Sequence, residues 1–321
     1  MDKHHLIIGG AGFIGSKLSL ELSKIGKVSI IDNLSNGNTD FIKDLFIIND
    51  FKFIQTDVSD FNNCDIAFNQ INLSKTITDV WHLAANSDIP AGINDPGIDL
   101  KNTFLTTFQI LCCMKKYNIK NIHFASSSAI YGDCNNIEIS EDHGPLKPIS
   151  NYGAMKLASE AQISASFESF LNKVNIFRFP NVVGSPATHG VIFDFINKLK
   201  INKSVLNVLG DGSQRKPYLH VSDLVNALIY FSDLKSVSNF EIYNIGPNDD
   251  GIDVKTIAEL VVDTVNKDAK IIFGSGNKGW IGDVSKFRYS IKKINSLGWK
   301  PKYNSFEAIS KAICEINNQI K

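Results

Sequence analysis

Seven residues, GGAGFIG at 9–15, constrain this chain more than any others. They follow directly on a short apolar run, His4 to Ile8, and lead into Ser16 to Ile25, where Leu18, Leu22 and Ile25 recur at helical spacing. A strand that runs straight into G-x-x-G-x-x-G and then into a helix is the context a dinucleotide fingerprint needs. Gly9 allows the tight turn, Gly12 lets the backbone approach a pyrophosphate, and Gly15 lets the helix pack close to the strand. Phe13 and Ile14 complete the loop, and the first N–H groups of the helix face the phosphates.

The residues that follow repeat the strand and helix alternation. Lys27 to Ile31 is an apolar run ending in Asp32, 17 positions after Gly15. A carboxylate there accepts hydrogen bonds from the adenosine ribose diol and repels a 2′-phosphate, which favours NAD over NADP. Asn33 opens the turn-forming run Asn33-Leu34-Ser35-Asn36-Gly37, so Asp32 also suits a turn. Phe51 to Ile54 reads as a third strand, with Asp57 and Val58 beyond it; Asp57 would lie beside the adenine, or on an exposed loop. In TDVWHLAAN, 78–86, a fourth strand exits through Leu83, Ala84 and Ala85, whose small side chains leave room for a cofactor, while His82 is as readily a core histidine. Pro96 to Tyr117 reads as one long helix and Asn121 to Ala125 as a fifth strand. The pattern predicts an α/β fold: a doubly wound parallel sheet covered on both faces.

Chemistry concentrates between Phe124 and Lys156, in FASSSAIYG (124–132) and YGAMK (152–156). Tyr152 and Lys156 are four residues apart and share one helix face. A phenol with its ordinary pKa of about 10 is a poor base at neutral pH. A fixed ammonium one turn away favours the phenolate, and a nearby serine hydroxyl can share the substrate's hydrogen bond. Y-x-x-x-K alone also describes an ordinary amphipathic pair, so the meaning rests on its context.

Composition excludes several classes. The 321 residues are 43% hydrophobic, enough for a large core, and 33 basic residues balance 33 acidic ones, so no global field attracts nucleic acid or an anionic membrane. No apolar run approaches the roughly 20 residues of a membrane span. The start, MDKHHLIIGGAG, reaches glycine too soon for a signal peptide, so the expected location is cytoplasmic. The five cysteines have no paired C-x-x-C spacing, which points to free thiols and to no metal site.

GGAGFIG, HLAAN, SSSAIYG, YGAMK, RFPNVVG (178–184) and GDGSQRKPYLHVSD (210–223), with SLGWKP at 296–301, stand in an order that resembles the extended short-chain dehydrogenase/reductase superfamily. Within it the chain is similar to the NAD-dependent nucleotide-sugar epimerase/dehydratase branch, and to UDP-glucose 4-epimerase-like enzymes in particular. The resemblance implies a Rossmann domain with a smaller, interleaved α/β substrate domain. The expected division is 1–180 plus about 218–250 for NAD, and about 181–217 plus 251–321 for the nucleotide sugar. Residue by residue it implies Gly9, Gly12 and Gly15 on the pyrophosphate, Asp32 and Asp57 on the adenosine half, and Tyr152 and Lys156 as the catalytic pair, Lys156 also on the nicotinamide ribose. It matches Ser128, the third serine of SSSA, to the catalytic hydroxyl. Asn181 and Arg215 match residues on the substrate diphosphate, and Asn102 matches a position lining the cleft. It further implies a homodimer, through helices near 100–117 and 152–171, and a place in polysaccharide biosynthesis.

The departures matter as much. Dehydratases of this branch carry Asp-Glu after the catalytic hydroxyl; matched to Ser128, those places hold Ala129 and Ile130, neither able to move a proton, so 4,6-dehydration is disfavoured. Where many UDP-galactose epimerases have Arg-x-Gly-Asp, this chain has Trp280-Ile281-Gly282-Asp283; Lys278 offers a charge nearby, but without the guanidinium fork. The expected activity is 4-epimerisation of a UDP-glucose or UDP-N-acetylglucosamine type substrate. A C4 dehydrogenase acting on, for example, a GDP-linked hexose or heptose, an epimerase at another carbon, and a non-catalytic NAD sensor are the alternatives; the last usually lacks the Tyr or the Lys.

Overall fold

Short runs of apolar and β-branched residues form a seven-stranded sheet: β1 (His4–Ile8), β2 (Lys27–Asp32), β3 (Lys52–Gln55), β4 (Asp79–His82), β5 (Asn121–Ala125), β6 (Lys173–Arg178) and β7 (Phe240–Asn244). Their order is β3-β2-β1-β4-β5-β6-β7. The β1–β2, β2–β3, β1–β4, β4–β5 and β5–β6 pairs are parallel. The winding reverses between β1 and β4, and ligands of such sheets collect outside the carboxyl ends of the strands at that point. Register levels those ends: Ile8 pairs with Ile31 and with His82, so Gly9, Asp32 and Leu83 leave the sheet side by side.

This computed structural model describes residues 3–134, 137–235, 238–276 and 288–320; Lys278 and the 280–283 segment lie outside them. The chain divides into two units, one of residues 1–132, 146–178 and 227–243, the other of 133–145, 179–226 and 244–321. The first holds the sheet. Every residue of β1 is buried, as expected of a parallel strand covered on both faces. Its two histidines find partners inside: His4 is bonded to the Lys75 carbonyl at 2.8 Å and to Ser29 Oγ at 2.9 Å, and His5 Nδ1 accepts from Trp81 Nε1 at 3.2 Å while its Nε2 is buried without a partner. Helices α1 (Phe13–Leu22), α2 (Phe61–Ser74), α3 (Thr106–Lys116) and α4 (Asn151–Ser169) belong to this unit. Phe68, Ile71, Ile110, Met114 and Ile163 from three of them join a core with Leu6, Val80, Ile122 and Ile176 of the strands. Each such side chain contributes roughly 1.5–3 kcal/mol by leaving water.

The second unit contains α5 (Val191–Ile201), the start of α6 (Val221–Asp233), α7 (Val254–Val265) and α8 (Ser305–Ile320). Ile196, Ile257, Val261, Ile309 and Ile313 are at its core. By compactness this unit also takes in 133–145, 218–226 and 244–250. Residues 138–139 pair with 288–289, and 218–220 pair with 181–183, so both segments belong to the second unit rather than to the first. The chain returns to the first unit only at Ala227.

The helix expected from Pro96 to Tyr117 continues without a break but widens into a π-helical stretch, Leu100–Leu105, between Pro96–Asp99 and α3. Three threonines explain the change. Thr103 Oγ1 accepts from the Asn86 N–H at 3.2 Å, while Thr106 and Thr107 donate back to the carbonyls of Asn102 and Thr103, competing with the regular ladder. α6 starts at Val221, and the Ser222 hydroxyl is bonded to His220 Nδ1 at 2.7 Å. The five cysteines are free, with Cys64 and Cys113 meeting Sγ to Sγ at 3.5 Å in the core. Among the described residues, no helix is long and apolar enough to cross a membrane.

Candidate active site

The glycines divide by what each one avoids. Gly9 has φ +82°, and a Cβ there would lie 2.7 Å from the Ala84 nitrogen; at Gly15 it would lie 2.0 Å from the Gly9 carbonyl oxygen. Both are required by the protein itself. At Gly12 the nearest protein atom would be 3.4 Å away, an ordinary contact, so the bare face of Gly12 is left for something outside the chain. Phe13 and Ile14 beside it keep part of their surface open.

Asp32 stands at the end of β2, buried to 8% exposure. Its Oδ2 accepts from the Ala11 N–H at 2.9 Å and its Oδ1 from Leu34 N–H at 2.8 Å. Burial pushes its pKa up and these two N–H groups pull it back. Asn33 Oδ1 caps the Ser35 N–H, and Asp57 accepts from Ser59 N–H and pairs with Lys101 at 3.1 Å. Val58 packs into the core. Leu83 and Ala84 donate to the Ile8 carbonyl, which draws the β4 exit onto Gly9, and Ala85 remains half-buried beside them. A bare glycine loop, free N–H groups at α1 and a carboxylate at the β2 end suit a dinucleotide without a 2′-phosphate.

α4 begins at a Ser150 cap, whose Oγ accepts from the Gly153 N–H at 3.1 Å. A Cβ on Gly153 would sit 2.5 Å from the Ala129 carbonyl oxygen, so the first turn of α4 rests on the 3-10 turn Ser128–Tyr131. Ser127 caps that turn through the Ala129 N–H, and its side chain acts on the Tyr152 phenol, drawing its pKa down. Of the three serines it is Ser127, the residue before the expected Ser128, whose side chain lowers the Tyr152 pKa. Counted from Ser127, the next two residues are Ser128 and Ala129, still without a carboxylate.

Lys156 is 2% exposed. Its Nζ donates to the Ala125 carbonyl at 2.6 Å and lies 4.7 Å from the Phe124 ring centroid and 5.9 Å from that of Tyr152. Burial pushes the Lys156 ammonium down to about 7, opposed by the charge of Glu160. Burial also lifts the Tyr152 phenol to about 12; the Ser127 side chain works against that rise and Asp99 adds to it. The two groups thus lie far apart on the pH scale, with room between them for a shared proton.

Several neighbours of the pair had no sequence signal as site residues. His82 Nε2 meets Thr107 Oγ1 at 2.8 Å, and burial holds the ring neutral. Asp99 is fully buried and accepts from Asn86 Nδ2 at 2.8 Å. Asn151 Nδ2 donates to the Gly92 carbonyl at 2.8 Å. Glu160 and Arg178 form a buried pair below the serines.

The expected substrate residues belong to different units, Asn102 to the first and Asn181 and Arg215 to the second. Asn102 is part of the π-helical stretch, where its carbonyl accepts from Thr106. In the second unit, Asn181 starts an exposed end of the 181–183 strand. Arg215 donates to the Gly251 carbonyl at 2.8 Å and pairs with Asp253 at 3.0 Å, using two of its five N–H donors. Lys278 is outside the described residues.

A profile of the NAD dependent epimerase/dehydratase family matches residues 5–246. A Methanocaldococcus jannaschii protein provisionally named UDP-glucose 4-epimerase is 31% identical over 98% of this chain and 98% of its own. A crystal structure of a UDP-galactose 4-epimerase aligns with TM-score 0.85 and 30% identity, covering 99% of this chain and 100% of that one. The Thermus thermophilus UDP-glucose 4-epimerase in complex with NAD aligns with TM-score 0.83 and 26% identity, over 98% of each chain.

Proposed function

The chain belongs to the NAD-dependent epimerase/dehydratase family, and on that premise we propose that it inverts C4 of a nucleotide-linked sugar, of the UDP-glucose or UDP-N-acetylglucosamine type. One observation carries the choice of reaction. Tyr152 has a serine hydroxyl and a buried lysine as its partners, while the turn that follows that serine, Ser128–Tyr131, presents no acid. Elimination of water from C5 and C6 needs a proton donor at that turn, and transfer at C4 does not.

NAD is the cofactor of this family, and the open face of Gly12, the N-terminus of α1 and Asp32 fit it. When bound, it supplies reversible two-electron oxidation at C4. The protein's own part is proton movement and restraint. Tyr152 takes the C4 hydroxyl proton as a phenolate, with Ser127 hydrogen-bonded to the same oxygen and Lys156 stabilising the negative charge. Once the 4-keto ring has turned, so that the opposite face of C4 is the one reduced, the same phenol returns the proton to the C4 oxygen. Asn181 and Arg215 hold the diphosphate during that rotation, the guanidinium through the donors that Gly251 and Asp253 leave over.

Proton NMR of the purified protein without added cofactor tests this reading. Incubated separately with UDP-glucose, UDP-N-acetylglucosamine and a GDP-hexose, one tube is expected to develop the anomeric signal of the galacto-configured partner. Unchanged spectra in all three overturn 4-epimerisation of these substrates. Growth of NADH absorbance with stoichiometric keto sugar would make the enzyme a dehydrogenase instead.

A further inference from the structure

Glu160 lies one turn beyond Lys156 and two beyond Tyr152 on α4. It is 5% exposed, yet both oxygens of its carboxylate are hydrogen-bonded. Arg178 donates to it twice, from Nε at 3.1 Å and from Nη2 at 2.7 Å, and Ser126 Oγ donates to Oε1. The remaining arm of the guanidinium, Nη1, donates to the Tyr131 hydroxyl at 2.9 Å, and the group lies 5.2 Å from that ring's centroid. Ser126 N–H also donates to the Phe177 carbonyl, next to Arg178. The exit of β5, the end of β6, the 128–131 turn and α4 thus meet at one carboxylate.

An ion pair in this setting is a poor source of stability. Taking two charges out of water costs several kcal/mol per ion, and well-packed apolar residues of similar volume often serve as well or better. Its connections suggest another role. Ser126 immediately precedes Ser127, Tyr131 closes the turn that Ser127 caps, and Glu160 is on the helix that presents Tyr152 and Lys156. We propose that Glu160 and Arg178 are positioning residues: through Ser126 and Tyr131 they hold the Ser127 hydroxyl against the Tyr152 phenol. Around Lys156 stand Tyr152 and Glu160 from its own helix and His82 from β4, with Arg178 of β6 paired to Glu160; of these, Glu160 carries the fixed negative charge that opposes the effect of burial.

The inference rests on Tyr152 being the proton-transfer group of the proposed reaction. Two variants of the full-length holoenzyme test it: Ser126→Ala, which leaves the ion pair intact, and the double change Glu160→Leu with Arg178→Met, which removes both charges together. Both are expected to melt cooperatively, with kcat lowered about tenfold to a hundredfold and KM unchanged, as for a small misplacement of reacting groups. The second readout needs no turnover. The ¹³Cζ resonance of labelled Tyr152, identified by its loss in Tyr152→Phe, is expected to move in both variants at neutral pH as Ser127 is released. Folded variants with wild-type kcat and an unmoved Tyr152 resonance overturn the inference. If the double variant fails to fold, Ser126→Ala decides by the same two readouts. If the wild type converts no UDP-sugar, the epimerase reading fails while the resonance still decides the positioning.

Discussion

Ser127 acts on the Tyr152 phenol, drawing its pKa down, whereas Ser128 begins the turn on which α4 rests. Replacement of these neighbours should therefore have unequal effects. Ser127→Ala is expected to lower kcat by about a hundredfold, the scale of a lost acid–base partner, with little change in KM. Ser128→Ala should leave kcat near the wild-type value. Steady-state kinetics on the converted sugar distinguishes them, and equal losses would return the role to Ser128.

The separation between Lys156, near 7, and Tyr152, near 12, sets a pH profile. The pair loses its first proton near 7, and the phenolate–ammonium form that takes a proton from the substrate belongs to the singly protonated pair. Accordingly kcat/KM should rise as pH increases through about 7 and fall only toward 12. Lys156→Met removes the low step and should push the rise toward the phenol's own titration. A wild-type profile falling between pH 7 and 9 would contradict this assignment.

Gly12 and Gly15 should respond differently to the same methyl group. Gly12 has φ −79° and ψ −178°, open to any residue, and room for a Cβ on the protein side. Gly12→Ala should change stability by less than about 1 kcal/mol yet yield protein depleted of NAD. Gly15→Ala forces α1 away from the Gly9 carbonyl and should destabilise by about 1–3 kcal/mol. Calorimetry together with the absorbance of extracted nucleotide separates loss of cofactor from loss of fold.

Acid should weaken the first unit through β1. Burial lowers His4 and His5 from 6.5 to about 4 each. The unfolded chain takes up these protons from pH 6.5 downward and the folded one does not, so the stability they contribute is complete above 6.5 and is lost as pH falls toward 4. The loss is of order 3 kcal/mol per histidine across that window. Urea midpoints measured at steps from pH 7 to 4 should show the decline, with a shallower slope in His5→Phe. A flat series would mean that the two rings protonate in place.

What the sequence makes legible depends on whether the signal is local. GGAGFIG between a strand and a helix, the acid at the end of β2, and Tyr152 and Lys156 at i and i+4 are all local patterns, and the sheet order follows from the alternation they punctuate. Three consecutive serines have no such phase. Which one meets Tyr152 is decided by the residue at which the chain enters the 3-10 turn, and that depends on α4 packing through Gly153. Glu160 and Arg178 are hidden for another reason: charged residues are usually exposed, and these partners come from different elements 18 residues apart. The π-helical stretch at 100–105 arises from threonine hydroxyls bonding backward, which helical periodicity does not register.

Asp32 holds two loops together at the carboxyl end of β2, where the proposed function places the cofactor's ribose. One oxygen clasps Ala11 in the glycine loop, the other clasps Leu34 in the turn beyond β2, and a Cβ on Gly37 would come within 3.0 Å of the same carboxylate. Exchanging this acid for a small or basic residue to admit a phosphorylated cofactor would also unfasten both loops. Cofactor preference in this chain is thereby tied to backbone architecture, and a lineage or a protein engineer seeking to change it must rebuild the 32–37 turn before the new charge can be of use.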